Sequence, residues 1–455
     1  MSGTVEGGTR RVRRSVRRAC LGAVLAAGVV AVPALAADAP GRPVRSMVRH
    51  PDWSVKANIY EVNIRQYTPE GTFRAFERHL PRLRRMGVDI LWIMPINPIS
   101  EKNRKGPLGS YYAVRDYKAV NPEFGDLEDF RRLVKQAHAL GMKVIIDWVA
   151  NHTGWDNVWI SQHPDWFQRD AKGEIGPFSY VDPNDHHVEV WADVVGLDYR
   201  QPALWDGMID AMRYWVKTAD IDGFRCDVAP RVPTPFWERA RRELEQIKPV
   251  FMLAEGDEPG EQVRAFDMSY DWGLYQLMVK VAHGKAPVRA LGDYYRTPPR
   301  TFPVGAYRMT LTSDHDENSW NGTDRELYGD AARPMAVLAA TLPGMPLIYS
   351  GQESGLDKRL EFFRRDPIDW RTYDRADFYA ALLKLKHETP ALWNGTAGGD
   401  LRVVELGSDK VFAFIRTRGR SRVRVLVNLS AAPQAVSGAG FRAETIEPWG
   451  YRIQR

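Results

Sequence analysis

Residues 126–152 read DLEDFRRLVKQAHALGMKVIIDWVANH, a helix pattern followed directly by a strand pattern. Asp126 can cap the helix, and Gly141 can end it. Between them the apolar residues recur at i, i+3, i+4 and i+7 spacing, namely Phe130, Leu133, Val134, Ala137 and Leu140. The run over 143–148 then predicts a buried strand. A helix that leads into an apolar strand is typical of a parallel sheet whose faces are both covered.

The same alternation recurs along the chain and predicts a closed barrel. Apolar runs predict eight strands, over 59–64, 90–94, 143–148, 223–228, 250–255, 266–269, 308–312 and 346–349. Eight strand and helix units over about 340 residues fit a (β/α)8 TIM barrel, which needs roughly 250 residues and tolerates insertions. One local misfit is Pro81, which falls inside the predicted first helix.

Two segments depart from this alternation. Residues 152–193 are rich in Trp, His, Pro and Asp without a strong period, so we expect a short excursion domain after strand 3, over the barrel mouth. Alternating patterns over 401–406, 410–416, 422–428 and 450–453 predict a C-terminal all-β antiparallel sandwich. The predicted α/β architecture therefore has a barrel over 51–151 and 194–389, the excursion over 152–193 and a β domain over 390–455.

The positive charge is concentrated at the N-terminus. The formal charge of the 455 residues is +6, and residues 1–36 supply +5 of it, from six arginines against Glu6. The rest of the chain is close to neutral, which argues against a nucleic-acid partner. The arginines precede an apolar run that ends in Ala34-Leu35-Ala36, a signal-peptidase pattern.

We therefore expect a signal peptide over 1–36 and a linker over 37–50. Export would use the Sec or the Tat route and deliver a secreted or periplasmic protein with no stable membrane association. An uncleaved anchor is the alternative, although the run is short for a spanning helix. Cys20 would leave with the signal peptide, and Cys226 would remain without an intramolecular partner.

Acidic residues stand at the predicted ends of several strands, where barrel enzymes place their chemistry. Asp147 lies on strand 3, Asp227 ends strand 4, Glu255 ends strand 5, and Asp316 follows strand 7. Taken singly, an Asp after a strand is more often a helix cap or a loop ion pair. Several acids that converge on one mouth instead predict a catalytic cavity.

Two of these acids have surroundings that would separate their pKa values. Arg225 and Asp227 are two residues apart on a strand, so their side chains point the same way, and we expect the guanidinium to lower the pKa of Asp227. Glu255 follows the apolar residues 251–254, and desolvation would raise its pKa. Such a pair suits one nucleophile and one acid.

The order of these motifs resembles the α-amylase family of glycoside hydrolases. Residues 147–152, 223–227, 255 and 315–316 stand in the order of that family's four signatures, and the resemblance extends from about residue 50 to the C-terminal module. Supporting matches are residues 110–117, 197–199 and 344–353.

The resemblance implies a retaining mechanism with named roles. It makes Asp227 the nucleophile, Glu255 the acid/base and Asp316 the carboxylate that holds the distorted sugar. It makes Arg225 a substrate-binding residue beside the nucleophile and Asp147 a structural support beneath it. The remaining implied residues are the sugar donors His152 and His315, the stacking platform Tyr112, the loop residue Asn151 and the mouth residue Trp320. Strands 4 and 5 are neighbours, which would allow the 5 to 5.5 Å that retaining enzymes need.

Other aromatic residues in the predicted mouth are weaker candidates for sugar contact. Sugar faces stack on aromatic rings, and Trp155, Trp159 and Trp166 lie in predicted mouth loops. A Trp in such a position is more often a core residue, so Trp320, close to Asp316, is the strongest of the four.

Departures from the family pattern concern calcium and specificity. After Asp227 the chain reads Val-Ala-Pro-Arg, where many α-amylases carry a Lys-His pair that binds the leaving side and contributes a calcium contact. Gly196 stands where another common calcium ligand is an Asp. Because calcium wants about 6 to 8 oxygens, we expect no required cofactor and an interface calcium that is absent or rebuilt, with Asn151 as its remaining ligand.

The substrate is expected to be an α-glucan oligosaccharide or polysaccharide, and the enzyme an α-amylase. An α-1,6-acting or dual-specificity hydrolase and an α-glucan transglycosylase remain open, since no residue decides between them. Two more distant alternatives are a non-catalytic glycan-binding barrel and metal-assisted hydrolysis. The latter would draw on His138, His152, His186 and His187, although neighbouring histidines face opposite ways if extended. Loop acids for a different metal site would be Asp156, Asp165, Asp170 and Asp182.

Overall fold

The computed structural model describes residues 43–181, 186–370, 372–438 and 440–455. The predicted signal peptide, Cys20 and Asp182 lie outside the described residues. The strands, in chain order, are β1 (Ile59–Val62), β2 (Ile90–Ile93), β3 (Lys143–Trp148), β4 (His152–Gly154), β5 (Pro177–Val181), β6 (Val188–Gly196), β7 (Gly223–Cys226), β8 (Phe251–Ala254), β9 (Met268–Tyr270), β10 (Tyr307–Thr310), β11 (Met345–Tyr349), β12 (Asp400–Val404), β13 (Val411–Arg418), β14 (Ser421–Asn428), β15 (Gln434–Gly438), β16 (Phe441–Ile446) and β17 (Tyr451–Gln454).

Helices connect the strands of the barrel, and one short helix, Val158–Gln162, belongs to the excursion. They are α1 (Ile64–Tyr67), α2 (Phe73–Glu77), α3 (Leu80–Met86), α4 (Leu127–Ala139), α5 (Val158–Gln162), α6 (Pro202–Ala219), α7 (Thr234–Glu245), α8 (Trp272–Ala282), α9 (Arg289–Arg296), α10 (Asp324–Tyr328), α11 (Ala332–Thr341) and α12 (Ala376–Glu388).

Eight parallel strands close into a barrel in the order β1-β11-β10-β9-β8-β7-β3-β2. Each corresponds to one of the eight predicted strands, so the predicted (β/α)8 fold is confirmed. The register aligns Trp148 with Cys226 and Cys226 with Ala254. The carboxyl ends of β3, β7 and β8 therefore meet at one rim, and the acids that follow them are brought together there.

Helix α4 shows how the local sequence builds one unit of the barrel. The side chain of Asp126 accepts a hydrogen bond from the backbone nitrogen of Asp129 at 2.8 Å and caps the helix as predicted. The apolar stripe from Phe130 to Ala137 is buried against the sheet. Gly141 has a φ of 78°, a left-handed conformation that lets the chain turn into β3.

The misfit at Pro81 has a local solution. The predicted first helix is split into α2 and α3, and Pro81 lies in the first turn of α3. In that turn a backbone N–H has no helical partner, so proline removes no hydrogen bond.

The excursion contains the antiparallel sheet β4-β6-β5, which the sequence pattern had not indicated. Strand β6 runs back to the barrel, and Gly196 pairs with His152 at its end. The ring of Phe178 on β5 is buried against Trp191 on β6. Burial in this sheet depends on contacts between strands, which explains why no period was visible along the chain.

The C-terminal module is antiparallel, as predicted. The sheet β12-β13-β14-β17 contains the four predicted strands, and the hairpin β15-β16 was not predicted. Arg416 on β13 joins this module to the barrel, since its Nη1 donates to the backbone oxygen of Thr341 at 3.1 Å. Within the described ranges, no helix has the length and apolar character needed to cross a membrane.

Candidate active site

Arg225 holds both predicted catalytic carboxyl groups at the rim of the barrel. Its Nη1 donates to Oδ1 of Asp227 at 3.1 Å, and its Nη2 lies 2.8 Å from Oε1 of Glu255. The guanidinium is fully buried, whereas 11% of the Asp227 side chain and 16% of the Glu255 side chain are exposed. The two carboxyl groups therefore share one cation and face the same opening.

A second layer of side chains fixes the guanidinium from below. Asp147 is fully buried and accepts hydrogen bonds from Arg225 Nη1 at 3.0 Å, from Trp92 Nε1 at 3.1 Å and from the Tyr112 hydroxyl at 3.0 Å. The Tyr270 hydroxyl accepts from Arg225 Nε at 3.2 Å. Asp147 therefore lies in the supporting position that the resemblance implied for it.

Val228 orients Glu255 through a strained backbone. It has a φ of 37°, in the left-handed region that a β-branched residue rarely adopts. In this conformation its backbone N–H donates to Glu255 Oε2 at 2.7 Å. Backbone strain of this kind persists where the surroundings hold it, and it is concentrated at functional sites. The residue directly after Asp227 thereby positions Glu255.

Asp316 belongs to a charged chain that continues into the barrel. Its Oδ2 lies 3.3 Å from Nε2 of His315, whose Nδ1 lies 2.6 Å from Oε1 of Glu61 on β1. Burial alone would lower the pKa of His315, but the carboxylates of Asp316 and Glu61 outweigh it and raise that pKa well above its ordinary value. This shift favours the imidazolium form of His315, which can donate from both nitrogens, and its Nε2 also lies 2.8 Å from the Tyr112 hydroxyl oxygen.

The charge of His315 in turn keeps Asp316 ionised. Desolvation would raise the pKa of Asp316, but the imidazolium outweighs it, and the net pKa lies below its ordinary value. The indole Nε1 of Trp320 also donates to Asp316 Oδ1 at 3.2 Å. A negative carboxylate with 41% of its side chain exposed thus faces the cavity.

His152 differs from His315 in charge. Burial lowers the pKa of His152 to about 3, so its ring is neutral at ordinary pH. Its Nδ1 is paired with the amide nitrogen of Asn151 at 3.1 Å. Asn151 therefore supports the ring of His152 from behind.

A cavity of about 280 Å³ brings the acids together. Its lining residues are Lys105, Ser110, Tyr112, His152, Trp191, Asp193, Val194, Asp227, Val228, Glu255, Asp316, Phe362 and Phe363. Arg225, Asp147, His315 and Asn151 lie behind this lining and do not form part of it. A larger cavity of about 1400 Å³ shares Val228 and Glu255 with the first one. Glu255 therefore stands at the junction of the two.

The electrostatics correct one expectation from the sequence. Burial, followed by the charge of Glu255, raises the pKa of Asp227 well above its ordinary value, and Arg225 only opposes this shift. The predicted net lowering was wrong, because burial and the charge of Glu255 outweigh Arg225, whose guanidinium also contacts Glu255 and Asp147. Ionisation of Asp227 is therefore disfavoured by burial and by the negative charge of Glu255 beside it.

Several residues that build the site were not predicted. Glu61, Trp92 and Tyr270 lie on β1, β2 and β9 beneath the acids, and Phe362 and Phe363 follow β11. The signal for Glu61 is visible in the sequence, since a lone carboxylate interrupts the apolar run 59–64. The others resemble ordinary core aromatics, and only their position in space reveals a role.

The predicted mouth tryptophans divide into two groups. Trp320 is 52% exposed beside Asp316, and its ring is tilted against Phe362 at 5.4 Å between ring centroids. Trp159 and Trp166 pack against each other at 5.2 Å, and Trp155 donates to the backbone oxygen of Ala192. None of the four lines the cavity of the acids, and only Trp320 contacts one of these acids.

The histidines proposed for a metal centre lie in different parts of the fold. His138 pairs with Asp222 at 2.6 Å, at the start of β7, whereas His152 lies beyond the opposite end of the neighbouring β3. His187 pairs with Glu189 on the excursion hairpin. Among residues 43–181, 186–370, 372–438 and 440–455, no group of three or more His, Cys, Asp or Glu side chains could hold a metal ion.

The interface calcium of the family does not fit the residues present. A Cβ atom on Gly196 would lie 2.6 Å from Oε1 of Gln168, so a glutamine side chain fills the place of the expected aspartate. Gln168 is held there by its own hydrogen bond to the backbone oxygen of Leu197 at 3.0 Å. The neighbouring 3-10 turn Ala229–Arg231 offers no side-chain oxygen. A hard cation would lack two ligands at this position.

A closed (β/α)8 barrel with paired carboxyl groups at its carboxyl-terminal rim defines the class of barrel glycosidases. Comparison with known proteins agrees. Residues 54–249 match the family described as alpha amylase, catalytic domain. The structure of an alpha-amylase from Lactobacillus plantarum is 31% identical, with a TM-score of 0.77, over 88% of this chain and 98% of that one. A maltogenic alpha-amylase, AmyB of Thermotoga neapolitana, is 30% identical, with a TM-score of 0.75, over 84% and 87%.

The chain belongs to the α-amylase family of glycoside hydrolases. A curated relative is alpha-amylase MalA of Haloarcula japonica, 29% identical over 405 residues. That match covers 85% of this chain and 57% of the relative, so the chain spans little more than half the length of MalA.

Proposed function

We propose that this protein is an exported, retaining glycoside hydrolase that acts as an α-amylase on starch, maltodextrins or related α-glucans. The observation that carries the proposal is the placement of Asp227 and Glu255 on a single guanidinium, with both side chains lining the small cavity. Retaining enzymes need two carboxyl groups about 5 to 5.5 Å apart, without room for a water between them. Asp227 and Glu255 contact the two terminal nitrogens of one guanidinium, at 3.1 and 2.8 Å, which supports the close spacing of a retaining pair.

The first half of the reaction needs an ionised Asp227 and a protonated Glu255. An oxygen of ionised Asp227 attacks the anomeric carbon of the sugar in the small cavity. The bond between that carbon and the glycosidic oxygen breaks, and Glu255 gives its proton to the departing oxygen. The product of this step is a glycosyl ester of Asp227 and a free aglycone. The complex that reacts must therefore carry a proton on Glu255.

The second half returns the enzyme to its starting state. Ionised Glu255 takes a proton from a water molecule, whose oxygen attacks the same carbon and releases Asp227. Two inversions give net retention. Asp316, kept anionic by His315, stabilises the positive charge that develops on the sugar ring, and Tyr112 supplies a flat face for that ring.

The test is the exchange of Asp227 for Asn in the full chain. We expect turnover of starch and maltooligosaccharides to fall by at least about four orders of magnitude, since the nucleophile is lost, while the circular dichroism spectrum and Tm stay close to the parent. Asp165→Asn, on an exposed loop, is the matched control and should keep full activity. A D227N variant with normal turnover would refute the assignment.

Product analysis decides the linkage. Starch, pullulan and cyclodextrins are digested, and the anomeric form of the first product is recorded by NMR. An α-configured product from starch supports retention at α-1,4 bonds. Cleavage of pullulan alone, into maltotriose units that keep only α-1,4 bonds, favours the α-1,6-acting hydrolase. Longer oligosaccharides formed from maltose would indicate transglycosylation.

Export and the absence of a required cofactor are part of the same proposal. The six arginines before the apolar run support an N-terminal signal, and mature N-terminal sequencing of protein recovered outside the cytoplasm tests it. A mature terminus at residue 37 is expected, and an intact residue 1 in the exported fraction contradicts it. The Gln168 side chain, which occupies the space beside Gly196 where a calcium ligand was expected, supports activity without calcium.

A further inference from the structure

The two cavities lie on opposite halves of the barrel mouth. The small cavity extends from the acids to residues that follow β11 and β2 and to the excursion that follows β3. The large cavity is lined by residues that follow β7, β8, β9 and β10, with Tyr180 and Val181 of the excursion. In the barrel order, β11, β1, β2 and β3 form one continuous arc, and β7 to β10 form the other.

A loop bridges the residues that follow β11 and the excursion, across the arc formed by β11, β1, β2 and β3. We call residues 103–108, between β2 and Tyr112, the strap. Lys105 in the strap forms an ion pair with Asp193 of the excursion at 2.9 Å. At its other side, Gly106 packs so closely on Phe363 that an added Cβ would lie 2.5 Å from the Phe363 Cβ. The backbone nitrogen of Leu108 also donates to the Phe363 oxygen at 3.2 Å.

The strap is therefore a continuous wall from the loop after β11 to the excursion. It is also anchored from beneath. Fully buried Arg65 donates from Nη2 to the Leu108 oxygen at 3.3 Å and from Nη1 to the Gly109 oxygen at 3.2 Å. The guanidinium lies 4.2 Å from the ring centroid of Tyr111, which holds it in place. Backbone oxygens that are bonded to a buried cation keep the wall in this position.

The roles of Asp227 and Glu255 indicate which part of the substrate occupies each cavity. Asp227 attacks the sugar that stays on the enzyme, so this sugar occupies the small cavity, with Asp316 and Tyr112. Glu255 protonates the departing oxygen, so the departing chain extends past Glu255 into the cavity of about 1400 Å³. The small cavity, at about 280 Å³, falls below the range of roughly 300 to 1000 Å³ that suits drug-sized ligands. Little more than one hexose ring fits there.

We propose that the strap makes this enzyme cut from the non-reducing end of its α-glucan, one or two glucosyl residues at a time. This inference rests on the proposed function. A chain passing through the site would have to cross the wall formed by Lys105, Asp193 and Phe363. A chain end meets no such obstacle, and the large cavity accepts the rest of the chain as the leaving group.

The experiment uses the full chain and maltoheptaose that carries a fluorophore at its reducing end. At low conversion we expect unlabelled glucose or maltose, together with labelled chains shortened by one or two residues. Short labelled fragments, which only an internal cut produces, would overturn the inference while leaving the proposed hydrolysis intact. Absence of cleavage on any α-glucan would overturn the proposed function and the inference with it.

Variants test the strap itself. Lys105→Ala removes the ion pair to Asp193, and a second variant replaces residues 103–108 by two glycines. Lys102→Ala is the matched control, because Lys102 lies over Trp155 at 5.5 Å and does not line the cavity. We expect internal cuts to rise by about fivefold in K105A, by more in the shortened strap, and not at all in K102A. An unchanged cutting pattern in both strap variants would overturn the role of the strap.

Discussion

Asp227 and Glu255 show how a shared cation sets the chemistry of single residues. After burial, the negative charge of Glu255 is the largest influence that raises the pKa of Asp227. Arg225 lowers the pKa of Asp227 but does not cancel this rise. The same guanidinium also contacts Glu255 and Asp147. The protonation of the nucleophile therefore depends on its partner.

Replacing Glu255 by Gln tests this coupling. Gln carries no negative charge, so the pKa of Asp227 should fall, and the acidic limb of kcat/KM on an aryl glucoside with a good leaving group should move to lower pH. Activity on substrates with poor leaving groups should fall most, because their departing oxygen needs a proton from residue 255. Glu128→Gln on α4 should leave the profile unchanged. A limb that stays in place or moves to higher pH would contradict the coupling.

Glu261 is a second buried carboxyl group, outside the reaction. It is 2% exposed, and within the described part of the protein neither carboxyl oxygen has a hydrogen-bond partner. Burial, together with Glu258 and Asp257, raises its pKa to about 8. Between its ordinary value near 4.5 and about 8, the folded protein keeps a proton that the unfolded chain releases. Stability contributed by the protonated group is therefore lost as pH rises through this window.

The Glu261→Gln variant should remove this pH dependence. We expect the wild-type free energy of unfolding to fall with pH more steeply than that of E261Q, by up to about 1.4 kcal/mol per pH unit. Denaturant unfolding at pH 5.5, 6.5 and 7.5 measures the difference. Glu174→Gln, at an exposed position, should follow the wild type. Parallel slopes for wild type and E261Q would show that Glu261 is ionised in the folded state.

Helix α4 is the element whose local signals are most complete. Asp126 caps it, and the cap satisfies a backbone nitrogen that would otherwise lack a partner. We expect Asp126→Ala to lower the free energy of unfolding by about 1 kcal/mol and Asp126→Ser to retain most of it. Urea unfolding of both variants measures the effect. Equal losses in the two would mean that the side-chain hydrogen bond is not the cause.

At the scale of the whole molecule, protein contacts join the described part of the excursion to the barrel. Gln168 fills the place at Gly196, and protein contacts such as the ion pair of Lys105 and Asp193 join the excursion to the barrel. Dialysis against EDTA should therefore leave activity and Tm unchanged within error. An activity that is lost on dialysis and restored by calcium alone would indicate a cation site elsewhere.

The local sequence determined the eight barrel strands, the cap of α4, the C-terminal strands and the order of the acids at the rim. These features depend on apolar periodicity and on residues close together in the chain, so the pattern carries them. Only the tertiary structure decided the sharing of Arg225, the rise in the pKa of Asp227, the place of Glu61 under His315 and the wall made by the strap. Each of these depends on burial and on contacts between residues far apart in the chain, which no local pattern records.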